Sequence, residues 1–295
     1  MPRIARMLVK GEPAVYHVMT RTALEGYVLG DVEKEYLFKL IKKLSSVYFS
    51  ELLGYCIMRN HFHLLVRMHQ EENYSDEEIL HRYHLYYGEG IKKDPSSGQI
   101  SSLRVKWENL SEYIKEIKQQ FSRYYNKRHN RRGFFWSERF KSLIVDNGET
   151  LINCLAYIDL NPVRAGLVER PEDYRWCSLG YHLQTNNKND LLSLDFGLRE
   201  FGVKGAAQRL AHYCAYVHDK GGIGLKENTT PLPAKQKDRF RYRCRYFIDS
   251  GVIGSKDFVD RIYCQFKDIF YSSKDKKPQQ VNGLTDIFSL KRLME

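Results

Sequence analysis

No stretch of this chain approaches 18 consecutive apolar residues, which excludes an ordinary transmembrane helix and argues against a membrane partner. The N-terminus, Met1-Pro2-Arg3-Ile4-Ala5-Arg6-Met7, lacks the apolar core of a signal peptide, so the expected location is the cytoplasm. No C-x-x-C pair occurs. The six cysteines (Cys56, Cys154, Cys177, Cys214, Cys244, Cys264) are scattered, which argues against a structural zinc site and suits a reducing compartment. No internal repeat is found, so a repeat array is not expected.

What is present is a basic, aromatic-rich chain. Its 295 residues are 42% apolar and 13% aromatic, enough for a sizeable core. The net charge of +11 and pI near 9.2 favour a polyanionic partner. The charge is concentrated. Between Phe121 and Lys141, seven cations (Arg123, Lys127, Arg128, Arg131, Arg132, Arg139, Lys141) stand against one acid, Glu138. Phe121, Tyr124, Tyr125, Phe134, Phe135, Trp136 and Phe140 are interleaved with them. Cations for phosphates beside rings for bases are what single-stranded nucleic acid needs. The seven cations and Trp136 are therefore candidate nucleic-acid contacts. A solvated basic face with some of the rings in the core would give the same pattern, and Phe121 and Tyr124 do lie on an apolar helical stripe.

Periodicity places the elements. Residues 14 to 20 read as a strand, and 33 to 49 as an amphipathic helix. Residues 51 to 68 read as a hairpin turning at Arg59-Asn60. Residues 71 to 108 look like an insertion with a helix from Ser75 to Tyr87 and a loop around Asp94 to Gly98. A helix capped by Asn109 runs from about 111 to 129, and residues 140 to 145 form another strand. This order suits an α+β fold, an antiparallel sheet with helices on one face. The expected organisation is a domain over 1–183, a polar linker over 184–190 and a mostly helical accessory region over 191–295, itself a candidate for DNA contacts. Helices are expected over 196–217, 235–249 and 255–270.

Two patterns carry chemistry. In His61-Phe62-His63-Leu64-Leu65-Val66, the strand period of two sends both imidazoles to one face and Phe62, Leu64 and Val66 to the other. Two imidazoles held on a sheet face can begin a metal site, although surface histidines on a half-buried strand look the same. From Thr150 to Pro162 the sequence reads as a short helix on which Tyr157 and Asn161, at i and i+4, are neighbours. An edge tyrosine with an asparagine C-cap would give that pair too. A tyrosine phenolate can attack a metal-bound phosphate, leaving a 5′-phosphotyrosine and a free 3′-OH. Its ordinary pKa of about 10 calls for a metal or base nearby. Two histidines and an amide oxygen suit Mn²⁺ or Mg²⁺.

His-hydrophobic-His on a strand, followed by Tyr-x-x-x-Asn on a helix, resembles the HUH superfamily of single-strand DNA nucleases. The surrounding sequence narrows the likeness. Met58 to Leu65, Arg132 to Ser142 and Tyr157 to Val168, with Tyr16-His17-Val18 and Tyr174 to Ser178, resemble the REP-associated tyrosine transposases over roughly residues 10 to 180. The resemblance implies a ferredoxin-like nuclease palm that cuts and joins single-stranded DNA beside hairpins, by a metal-assisted step. It makes Tyr157 the nucleophile, His61 and His63 metal ligands, and Asn161 the third ligand, where related insertion-sequence enzymes carry glutamine. It also implies a monomer. The 71–108 insertion and the tail beyond about 185 depart from compact members. Two other readings stay open. One is a domesticated regulator that binds DNA hairpins without cutting. The other is a metal-dependent hydrolase, for which no carboxylate is well placed, since Asp159 lies roughly 160° round the helix from Tyr157.

Overall fold

A computed structural model describes residues 5–70, 74–88, 93–194, 205–223, 246–270, 276–282 and 284–291. Its centre is a sheet of four longer strands: β1 (Ala14–Arg21), β2 (Ser50–Ile57), β3 (His61–Met68) and β4 (Lys141–Val145). They lie in the order β2-β3-β1-β4, all neighbours antiparallel. Their buried positions are mostly Val, Ile, Leu, Tyr and Phe, which pack well on a pleated surface. Three short strands extend the β4 edge in the order β5-β7-β6: β5 (Val252–Gly254), β6 (Gln279–Gln280) and β7 (Phe288–Ser289). β5 runs parallel to β4, with Ile144 opposite Val252. The region beyond 191 thus supplies strands to this sheet as well as helices.

Helices cover both faces. On one side lie α1 (Asp31–Val47) and α4 (Leu110–Arg128). The apolar stripe of α1 buries Leu37, Leu40, Ile41, Leu44 and Val47. In α4 the stripe buries Ile114, Ile117 and Phe121, and Asn109 caps the helix by accepting from the Ser111 and Glu112 amides. Phe121 meets Trp136, which in turn meets Phe62 of β3, so this layer packs on the Phe62 face. The 71–108 segment holds α2 (Asp76–Tyr87) and α3 (Ser97–Trp107), each started by a serine capping box. The loop expected at 94–98 is therefore shorter than the sequence suggests, because Ser96 begins a helix there. Trp107 and Tyr74 pack their rings on Phe49 and bring the segment into the common core.

The opposite face carries α5 (Glu149–Asp159) and the short α6 (Asn161–Arg164). Pro162 sits in the first turn of α6, where its missing N–H costs nothing. Gly54 of β2 is what lets α5 approach: a Cβ there would lie 2.3 Å from a Leu155 methyl. The rest of this side is built by α7 (Ser178–Thr185), α8 (Ala206–Gly221), α9 (Tyr246–Asp249) and α10 (Lys256–Gln265). The helices expected over 196–217 and 255–270 appear as α8 and α10. Residues 196–204 and 235–245 of the expected helices lie outside the described residues. Among the described residues no helix is long and apolar enough to cross a membrane, and five free cysteines occur.

Candidate active site

The strand register assembles the site. Met19 lies opposite His63, Arg21 opposite His61, and Met19 also opposite Lys141 on β4. Residues paired across strands share a face, so His17, Arg21, His61, His63 and Lys141 all belong to the face under α5. The imidazoles of His61 and His63 are 5.1 Å apart by ring centroids. Tyr157, from α5, brings its ring to 6.0 Å from His63 and 6.0 Å from His17. One chain thus holds the histidine pair and the tyrosine together.

The hydrogen bonds fix where the protons sit. His17 Nδ1 is 2.6 Å from the Phe247 carbonyl oxygen, and His17 Nε2 is 2.8 Å from His63 Nδ1. Burial pushes His17 down to about 4, a bond to Phe247 opposing it and Arg164 adding to it, so the ring is neutral at pH 7. A carbonyl can only accept, so His17 carries its proton on Nδ1 and accepts at Nε2. His63 must then donate from Nδ1, which in a neutral ring leaves Nε2 as the acceptor. His61 Nδ1, 2.8 Å from Asn60 Oδ1, donates in the same way, and in a neutral ring that leaves Nε2 as the acceptor. This is the tautomer a metal-ligating histidine needs, held by an outer partner on the other ring nitrogen.

Asn161 donates Nδ2 to the Tyr157 and Ile158 carbonyls, at 3.2 and 3.1 Å, which turns Oδ1 away from the last turn of α5. Among the described residues, no three histidine, cysteine or carboxylate side chains gather as a metal cluster. Two imidazoles alone do not complete a divalent-ion site, and a neutral oxygen would have to join them. Arg164 of α6 lies over the Tyr157 ring, 4.3 Å from its centroid, and donates to the Tyr157 carbonyl at 2.6 Å. The Tyr157 ring is 1% exposed and packs 5.2 Å from Phe247 of α9. Asp159 faces the other way. It accepts from Tyr213 Oη at 2.8 Å and from the Leu179 amide at 3.1 Å, tying α5 to α7 and α8.

Residues 12–96 match the IS200-like transposase family. The matched segment holds β1, α1 and the hairpin with both histidines; Tyr157 lies beyond it. A protein of Haemophilus influenzae assigned to the REP-associated tyrosine transposases is 26% identical over 159 residues, 51% of this chain and 75% of that protein. These two matches bear out the family resemblance read from the motifs. A solved structure of a REP-associated tyrosine transposase bound to a REP hairpin aligns with a TM-score of 0.43 at 15% identity, over 65% of this chain and 92% of that one.

The cations read from the sequence divide into distinct roles. Arg123, Lys127, Arg132 and Arg139 are exposed. Arg128 pairs with Glu33 at 3.2 Å. Arg131 ties Asn126 to the Phe134 carbonyl and so shapes the loop. Lys141, on the histidine face, pairs with Asp249 at 2.6 Å. Trp136 corrects an expectation. It is buried among Phe62, Phe121 and Phe135 and donates Nε1 to the Lys118 carbonyl, so it is not presented for base stacking. The exposed ring of this run is Phe134. His17 and Arg164 were not assigned roles from the sequence, though both fall within the family motifs.

Proposed function

We propose that this chain cuts and rejoins single-stranded DNA beside a hairpin, as a monomer, with Tyr157 as nucleophile. The observation that carries the reading is the histidine pair, each ring hydrogen-bonded through Nδ1, on the face where Tyr157 sits. In this reading His61, His63 and Asn161 hold Mg²⁺ or Mn²⁺. When bound, that ion polarises the phosphate and steadies the departing 3′-oxygen. The Tyr157 oxygen attacks phosphorus and the P–O3′ bond breaks. The products are a 5′-phosphotyrosine and a 3′-oxygen that takes up a proton. The bond energy is retained, so a 3′-OH can reverse the step and rejoin the strand. Arg164 supplies a cation against the Tyr157 ring, which favours negative charge on it. Because Phe247 covers that ring, substrate reaches the Tyr157 oxygen only after the 246–249 turn or the ring itself shifts. A hydrolase that uses a metal-activated water would want a nearby carboxylate base, and Asp159 is engaged elsewhere.

The test is a covalent adduct. Hairpin oligonucleotides with single-stranded flanks, incubated with the protein and Mn²⁺, should give a protein–DNA species that survives denaturing electrophoresis. Tyr157→Phe should abolish both adduct and cleavage while hairpin binding persists. Binding without adduct in the wild type, with any divalent metal, would favour the non-cutting regulator. Cleavage that survives Tyr157→Phe would remove the tyrosine mechanism.

A further inference from the structure

Three cations stand on the four long strands, Arg21, Arg67 and Lys141, and the register puts all three on the histidine face. Two of them are engaged. Arg67 pairs with Glu51 at 2.9 Å, and Lys141 with Asp249 at 2.6 Å. Arg164, which reaches this face from α6, is bonded to the Tyr157 carbonyl. Arg21 is exposed, and among the described residues its guanidinium has no ion-pair or hydrogen-bond partner. Its backbone, by contrast, is fixed. The Arg21 carbonyl accepts from the Ser137 amide at 2.9 Å and from the Ser137 hydroxyl at 3.1 Å. The next amide, of Thr22, donates to the Asn60 carbonyl at 2.9 Å, and Asn60 Oδ1 is the atom that holds His61 Nδ1. One turn thus anchors both the arginine and the histidine beside it.

Arg21 lies directly opposite His61 and diagonally from His63. Directly opposed side chains on one sheet face start about 5 Å apart at Cβ, and diagonal ones about 7 to 8 Å. An arginine side chain is long enough to cover either gap, so this guanidinium can reach the space above both imidazoles. The Tyr157 ring borders the same space, 6.0 Å from His63. A phosphodiester under attack by the Tyr157 oxygen gains negative charge on both of its non-bridging oxygens. One of them falls to the ion that the histidines would hold, and the other is left to the protein's own donors. A guanidinium is planar, permanently charged and carries paired N–H donors, which suits a phosphate oxygen better than an ammonium does.

We propose that Arg21 is a catalytic residue whose guanidinium binds the scissile phosphate and stabilises the charge that builds on it as the Tyr157 oxygen attacks. The proposal rests on the tyrosine-cleavage reading above and adds to it the group that meets the phosphate. An unpaired side chain on a fixed backbone fits that task, because no existing pair has to rearrange at the moment of reaction. Lys141 and Arg164 do not meet that condition, since Asp249 and the Tyr157 carbonyl already hold them.

The experiment times adduct formation in a single turnover, with Mn²⁺ and a hairpin that carries single-stranded flanks. Hairpin affinity is read by fluorescence anisotropy and Mn²⁺ affinity by electron spin resonance on the same proteins. Arg21→Ala should slow the adduct by about 100- to 1000-fold and leave both affinities as in the wild type. Arg21→Lys keeps the charge without the fork and should fall between. Guanidinium ion, added below denaturing concentration, should restore part of the Arg21→Ala rate and leave the wild-type rate unchanged. Because the side chain is exposed, Arg21→Ala should melt like the wild type. If the wild type forms the adduct and Arg21→Ala forms it equally fast, the assignment is overturned and the tyrosine reading stands. A loss of Mn²⁺ affinity would make Arg21 a support for His61 and overturn it as well. So would a rate loss matched by lost hairpin affinity, or a slow variant that guanidinium does not help. A wild type that gives no adduct overturns both readings.

Discussion

His17 is the middle link of a chain of hydrogen bonds that starts at the Phe247 carbonyl and passes to His63. Its consequence is specific to one atom. If His17 becomes Phe, the ring's bulk stays but the acceptor for His63 Nδ1–H is lost, and His63 no longer has a reason to prefer that tautomer. Mn²⁺ affinity, measured by calorimetry or electron spin resonance, should fall about 10- to 100-fold. His17→Gln offers an amide oxygen near the old Nε2 position and should recover part of the loss. Equal affinity in wild type and His17→Phe would show that the relay does not set the ligand. The two histidines of β3 and the Tyr157–Asn161 pair were legible in the sequence, since each pair follows from one period of one element. His17 and Arg164 were not. His17 meets His63 through the register of strands 46 residues apart, and Arg164 meets Tyr157 through the break between α5 and α6.

The helix that presents Tyr157 is anchored by a buried carboxyl two residues on. Burial lifts Asp159 to about 6 from an ordinary 3.8, against hydrogen bonds from Tyr213 and Leu179. The folded value exceeds the unfolded one, so the unfolded chain gives up this proton first. The contribution of Asp159 is therefore fully present below about pH 4 and is lost as pH rises through 6. Asp159→Asn keeps a group that can bond both partners and carries no charge. Urea unfolding should show the variant gaining on the wild type between pH 4 and 7, by up to about 3 kcal/mol. His17 and His182, both pushed down to about 4 by burial, run the opposite way but cancel in the comparison. A difference that does not change with pH would mean the carboxylate is better solvated than its position implies. The same element shows what periodicity misses. Asp146 and Asn147 precede the helix but do not cap it: Gly148 starts α5 with a φ of +66° and no side-chain cap, while Asp146 accepts from Ser255.

Across the whole molecule, the parts that sequence reading lost are those with no period to read. The three residues of β5 and two each of β6 and β7 are too short for any alternation to register, and β5 reaches β4 from more than a hundred positions away. In the loop after α4, three aromatics stand in a row, and only the tertiary packing decides that Phe135 and Trp136 go in and Phe134 goes out. The same packing sorts the cations, and that sorting changes what salt should do. Each phosphate contact made by an exposed, unpaired cation releases counterions and adds about 0.7 to 0.9 to the slope of log affinity against log salt. Among the described residues Arg123, Lys127 and Arg132 meet that description, whereas Arg128 already faces Glu33. Replacing the first three with alanine should weaken hairpin binding and flatten the slope by about two units. Arg128→Ala removes the Glu33 partner, so its effect should fall on stability more than on the slope, by well under 1 kcal/mol for a pair half in water. Slopes that stay parallel after the triple replacement would show that this surface is only solvated and that the DNA path runs elsewhere.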